Sequence, residues 1–189
     1  MGKTYDRLDD KLIAFIKAQK MFFVATAPLS GEGHVNVSPK GYDSFIVIDE
    51  TTVAYADLGG SGIETFAHVN ENQRITIMFT AFDGPANIVR IYGKGRTLQF
   101  DHPDFAAELT RFAPGHERAR NIIYVDITSV SDSCGWGVPF YEFKGQRDQL
   151  TRYIDNKPPE DWYESRRQKN ATSIDGLPGI SKPDTEVSP

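Results

Sequence analysis

The sequence predicts a mainly β (α+β) fold: an antiparallel β-barrel, closed or split, of six or seven strands, with short helices outside it. Three observations carry that expectation. The first four β-prone runs have no helix between them, so they cannot form a parallel sheet. Their apolar residues alternate or run continuously, as in strands with a face in a core. Gly93 and Gly95 interrupt the longest run, Ile88 to about Phe100, where a bulge or barrel corner is expected.

The elements follow in order. Leu8, Leu12, Phe15 and Ile16 stand at i, i+4, i+7 and i+8, which predicts an amphipathic helix over 6–19. Met21 to Ala27 is a β-prone run ended by Pro28 and a polar turn. His34 to Ser38 puts Val35 and Val37 on one face and His34, Asn36 and Ser38 on the other, a hairpin partner to the first strand. Phe45 to Ile48 and Thr51 to Ala56 form a second hairpin around Asp49-Glu50. A helix over about 63–71 comes next, then a strand from Arg74 to Phe82 and a Gly84-Pro85 turn. His102-Pro103-Asp104 opens a helix with Phe105, Leu109 and Phe112 on its apolar face. Ile122 to Val130 and Val138 to Phe143 are the last expected strands. The predicted division is a barrel domain over 1–145, a polar helical extension over 146–171 and an extended tail over 172–189.

Composition narrows the function. With 189 residues, 39% hydrophobic and 25% charged, the chain has the make-up of a soluble globular domain. A net charge of −5 gives no basic field for nucleic acid, and no apolar run is long enough for a membrane span. The charged start has no apolar signal core, so the expected address is cytoplasmic. A single cysteine, Cys134, excludes an intrachain disulfide and a cysteine-cluster zinc site. The four histidines are scattered without metal-ligand spacing, so no metal site is expected.

The chemistry-bearing segment is the strand, glycine loop and helix around Gly59-Gly60-Ser61-Gly62. Free N–H groups and the helix dipole make such a junction suited to an anion, with Ser61 and Thr65 as hydroxyl donors. Gly60 is the glycine expected to be least replaceable, because a β-branched side chain resists positive φ and blocks close approach. Lys40, in Ser38-Pro39-Lys40-Gly41, is either a solvated strand-end lysine or the cation of that site; Arg74 is open to the same two readings. Trp136, between two glycines, suits stacking on an aromatic ligand or sealing a subunit interface. Cys134 reads mainly as a small inert hydrophobe. No residue is singled out as a general acid, base or nucleophile.

Together, FFVATAPLSGEGHVNVSPKG, VAYADLGGSGIETFAHVNENQRITIMF and IVRIYGKGRTL resemble the pyridoxamine 5′-phosphate oxidase-like family of flavin-binding split barrels. The resemblance covers about residues 10–130, and a Ser133 to Pro139 segment extends it towards 180. It implies a six-stranded split barrel, an obligate homodimer and FMN bound in two clefts along the dimer interface. It sets Asn36, Val37, Ser38 and Lys40 beside the isoalloxazine ring. Tyr55, Ala56, Asp57, Gly60, Ser61 and Thr65 fall in the segment that holds ribityl and phosphate, and Trp136 closes over the ring from the partner. One departure stands out: family members that oxidise pyridoxamine phosphate carry an Arg-Lys pair in the phosphate loop, where this chain has Gly62-Ile63. Basic residues for a substrate phosphate near the C-terminus are also unmatched, which argues against that substrate. The implied function is FMN-dependent redox chemistry on a small organic molecule. The alternative is a non-catalytic protein that sequesters a flavin, haem or other flat ligand in the same cleft.

Overall fold

The structure, a computed structural model, describes residues 2–181. The chain runs β1 (Thr4–Tyr5), α1 (Asp10–Ala18), β2 (Phe22–Thr26), β3 (Asn36–Lys40), β4 (Phe45–Val47), β5 (Thr52–Asp57) and α2 (Glu64–Asn72). It continues through β6 (Arg74–Thr80), β7 (Ile88–Gln99), α3 (Phe105–Leu109), β8 (Asn121–Ser133), α4 (Gln149–Asp155) and α5 (Pro159–Lys169). Every strand pair is antiparallel. The sheet order is β3-β2-β6-β7-β8-β5-β4, with β1 beside β8. The fold class is the predicted split barrel, but its main path holds seven strands rather than six.

Aromatic packing curls this sheet. Phe22 on β2 and Phe45 on β4 lie near opposite ends of the strand order, yet their ring centroids are 5.2 Å apart. Phe79 sits 4.9 Å from Phe45, and Tyr55 lies 5.5 Å from Phe22, so four strands meet in one aromatic cluster. Around it pack Val24, Ile77, Ile91, Ile123 and Val125, all buried. A register shift between β7 and β8 falls at Tyr92/Gly93. Any side chain at Gly93 would run into Val125 and the Asp126 carbonyl, so the expected bulge sits where only glycine fits.

Helix α1 starts where Asp9 accepts the Leu12 N–H at 2.8 Å, and it buries Leu12 and Ile16. The C-terminal helices cover the barrel's outer face. Alternate residues of β5 and β8 divide between layers: Val53, Tyr55, Ile123 and Val125 face inward, while Ala54, Ala56, Ile122 and Tyr124 join a second core. Trp162 of α5, fully buried, anchors that core and donates its indole N–H to the Arg118 carbonyl at 3.0 Å. Burial on both faces explains why β5 is apolar almost throughout.

Two segments differ from expectation. Residues 138–143 form no strand: Tyr141 makes one backbone bond to Phe82, at 2.9 Å. Apart from that bond the run pairs with no strand among the described residues, and Phe140, Tyr141 and Phe143 stay exposed. Residues 172–181, read as part of an extended tail, instead turn back through a Thr172–Pro178 bridge and bury Ile180 against Ile63 and Phe66. The rest of that predicted tail, 182–189, lies outside the described residues. No helix among the described residues is long and apolar enough to cross a membrane.

Two stability measurements test this packing. Phe22→Ala should cost about 3–5 kcal/mol in urea denaturation, because it empties the cluster that closes the sheet. Ile180→Ala should cost roughly 2–5 kcal/mol. No loss at Ile180 would mean that 172–181 does not dock in solution.

Candidate functional site

The site begins at the edge strand β3. Val37 within it and Val35 just before it face outward, 61% and 72% exposed. Its polar residues face the barrel. The Asn36 amide donates to the Thr65 hydroxyl at 2.9 Å and, weakly, to the Thr26 hydroxyl at 3.5 Å. Ser38 donates to the Asn36 carbonyl oxygen at 3.2 Å. Thr26 meets His68 Nδ1 at 3.0 Å, which extends the polar row from β3 across β2 to α2. Burial lowers the His68 pKa, and its Nε2 has no partner among the described residues.

At the end of the row lies a buried ion cluster. Lys40 Nζ donates to Asp57 Oδ1 at 2.9 Å. Arg120 brings Nε and Nη2 to Asp57 Oδ2, each at 2.9 Å, and its Nη1 to Asn170 Oδ1 at 2.9 Å. Burial alone would raise the Asp57 pKa. The charges and hydrogen bonds of Arg120 and Lys40 outweigh burial and hold the carboxyl far below the ordinary range, so it stays ionised. Tyr55 lies fully buried beside the cluster, with Lys40 Nζ 5.9 Å from its ring centroid. Burial first, then the Asp57 charge, push the phenol pKa well up, and its hydroxyl has no hydrogen-bond partner among the described residues.

The glycine loop lies directly after Asp57. Gly59 takes φ +84°, and a side chain there would meet Arg120 Cδ at 3.2 Å. Gly60 was expected to be the constrained position, but it has no positive φ and open space where a Cβ would sit. The carbonyl of Gly60 accepts Arg166 Nη1 at 2.9 Å, and that of Ser61 accepts Asn170 Nδ2 at 3.3 Å. Helix α2 has no side-chain cap at Ile63. The Glu64 side chain folds against Gly62 and accepts the Ile174 N–H at 3.3 Å. Arg74 is at the other end of α2, bonded to Asn72 and to the Pro28 carbonyl, and takes no part in the loop.

Of the predicted residues, Asn36, Ser38, Lys40, Tyr55, Asp57 and Thr65 converge on one region. Gly60 and Ser61 are exposed at its rim, and Ala56 is buried in the outer core. Val37 faces away from the cluster, and Trp136 is 85% exposed beyond the end of β8. A hollow of about 540 Å³ opens beside Lys40, lined by Pro39, Tyr42, Phe82, Tyr141, Phe143 and Arg147. Another hollow, of about 500 Å³, lies between α1 and β4 and holds none of the predicted residues. Sequence reasoning missed Arg120, Arg166 and Asn170. The signal was present for two of them: Trp162, Arg166 and Asn170 stand at i, i+4 and i+8, one buried stripe on an otherwise polar helix.

The ion cluster makes a pH prediction. The folded pKa of Asp57 is depressed, so its stabilisation is present above the unfolded carboxyl pKa and is lost as pH falls below about 4. Asp57→Asn leaves Lys40 and Arg120 uncompensated and should cost about 3–5 kcal/mol at pH 7. The gap between wild type and variant should narrow below pH 4 in denaturation series; a constant gap would contradict the cluster.

Comparisons with known proteins agree with this architecture. The family model for pyridoxamine 5′-phosphate oxidase matches residues 8–134. A pyridoxamine 5′-phosphate oxidase family protein, ustO of Aspergillus flavus, is 35% identical over 194 residues, covering 93% of this chain and 77% of the relative. Among solved structures, a single-residue variant of HupZ of Group A Streptococcus superposes with a TM-score of 0.54 at 20% identity, over 66% of this chain and 98% of that one. A Clostridium acetobutylicum protein related to general stress protein 26 gives a TM-score of 0.51 at 11% identity, over 76% of this chain and 99% of that one. At those identities the likeness concerns the fold alone. The family match and the fungal relative go further: the chain belongs to the pyridoxamine 5′-phosphate oxidase family.

Proposed function

We propose that this family member is an FMN-binding homodimer that carries out redox chemistry on a small organic molecule in the cytoplasm. The observation that carries the reading is the inward row Asn36, Ser38 and Lys40 meeting Thr65 and Asp57 under a glycine loop. The donor set fits a flavin phosphate. It offers a lysine, loop amides and an uncapped helix start, and the lysine also lines a hollow large enough for a ring system. Lys40 and the loop would hold the phosphate, and Asn36 and Ser38 would orient the polar edge of the ring. When bound, the flavin supplies the hydride-accepting chemistry. The protein's part is orientation and exclusion of water.

The dimer reading has its own support. Val35 and Val37 on an edge strand, with Trp136, Phe140, Tyr141 and Phe143, leave a run of large apolar side chains exposed. A second copy of the chain, with Trp136 over the neighbouring ring, is the occupant the family pattern implies. Light scattering should give about twice the 21.1 kDa chain mass. Val37→Asp should shift the protein towards monomer and weaken FMN with it.

The second reading is sequestration of the flavin without turnover. The visible spectrum of the purified protein separates the two readings. Flavin bands that bleach with NAD(P)H under anaerobic conditions and recover in air support the enzyme. Bands that never bleach support sequestration, and a protein that neither carries nor takes up FMN refutes both flavin readings.

A further inference from the structure

Arg166 is 3% exposed, and no carboxylate lies within ion-pair distance of it among the described residues. Its guanidinium stacks on Trp162, 4.4 Å from the ring, while Nη1 reaches the Gly60 carbonyl, Nη2 comes within 3.5 Å of the Ser165 hydroxyl, and Nε has no partner among the described residues. A buried cation without a counter-ion is costly. The charges around the loop sharpen the point. Lys40, Arg120 and Arg166 are positive; Asp57 is negative, and Glu64 lies against Gly62. Asp57 is shared by Lys40 and Arg120, whereas Arg166 has no paired carboxylate among the described residues.

The loop's backbone points the same way. In a planar trans peptide the N–H lies opposite its C=O. The Gly60 and Ser61 carbonyls turn towards α5, bound by Arg166 and Asn170. The N–H groups of Ser61 and Gly62, in the same two peptides, therefore turn away from α5. Neither has a backbone partner among the described residues. Two adjacent outward amides at a helix start, over a buried cation, form an anion cradle.

We infer that Arg166 and Asn170 are positioning residues for a phosphate monoester: by fixing two loop carbonyls they present the loop amides, and Arg166 supplies charge from beneath. A phosphate monoester carries about −1.5 to −2 near neutral pH, which fits a cationic cradle. The inference rests on the flavin reading and adds that the C-terminal helix governs recognition of the cofactor's phosphate.

FMN and riboflavin differ by the phosphate alone, so their affinity ratio isolates it. Titrating each into the full-length apoprotein by fluorescence quenching should show wild type preferring FMN. Arg166→Met should weaken FMN about tenfold or more and leave riboflavin unchanged. Arg166→Lys should keep part of the preference, and Glu64→Gln, which removes a competing carboxylate, should widen it. If Arg166→Met misfolds and loses both ligands, Glu64→Gln and Asn170→Ala decide, with the ratio expected to rise in the first and fall in the second. Ratios unchanged in the folded variants overturn the inference. A wild type that binds both ligands equally keeps the flavin reading and overturns this one; a wild type that binds neither overturns both.

Discussion

The Asp57 carboxylate, buried between Lys40 and Arg120, is the interaction on which the site depends. It stands at the end of β5, and its two partners come from the edge strand β3 and from the residue just before β8. Removing two or three charges from water is unfavourable, and only close geometry with hydrogen-bonded partners offsets it. Here the geometry is close on both carboxylate oxygens, at 2.9 Å each. The pairing ties β3 to β5, which lie near opposite ends of the strand order. It thereby fixes the polar row of β3 over α2. Through Asn170 the same cluster reaches α5, so barrel and C-terminal helix are locked at one point.

This link changes what the C-terminal extension is. A polar helix after a barrel invites description as an appendage, but α5 buries Trp162 completely against the outer face of β5 and β8. One helical stripe does two things: Trp162 fills the core, and Arg166 and Asn170, one and two turns on, hold the loop carbonyls. A side chain at Gly59 would contact both Arg120 and Trp162, so the loop, the ion cluster and the outer core are packed against one another. Displacement of any one is transmitted to the others by contact, because closely packed interiors do not deform smoothly.

Much of the fold was legible because its signals are local. Alternating or continuous β-prone runs gave β2 to β8, Gly93 marked the bulge, and apolar spacing gave α1. The misreadings come from information that is not local. Val138 to Phe143 has strand composition, but a strand also needs a partner to pair along, and among the described residues this run makes a single long-range backbone bond, from Tyr141 to Phe82. Within the glycine loop, composition says that the chain turns tightly and not which residue takes positive φ; it is Gly59 rather than Gly60. At the site, Lys40 and Asp57 were each expected near the cofactor, but their mutual bond spans 17 residues of sequence and has no spacing signature. Arg120 and Arg166 escaped for the converse reason: charged residues in polar surroundings look solvated until tertiary packing buries them.

The same cluster limits how Lys40 can act on a ligand. An ammonium has three donors, so Lys40 can keep Asp57 and still offer a proton to a second acceptor. Its field is another matter: the Asp57 charge, held ionised, cancels one of the two cations beside it. A ligand anion at Lys40 would therefore meet a directional hydrogen bond with a reduced Coulombic attraction. The shortfall falls on the loop amides, against which Glu64 folds, and on Arg166 beneath them, which has no carboxylate partner among the described residues. Buried charges are screened by salt far less than exposed ones. A cradle built on Arg166 thus keeps its attraction at ionic strengths that would weaken surface lysines, and it ties anion affinity to the docking of α5.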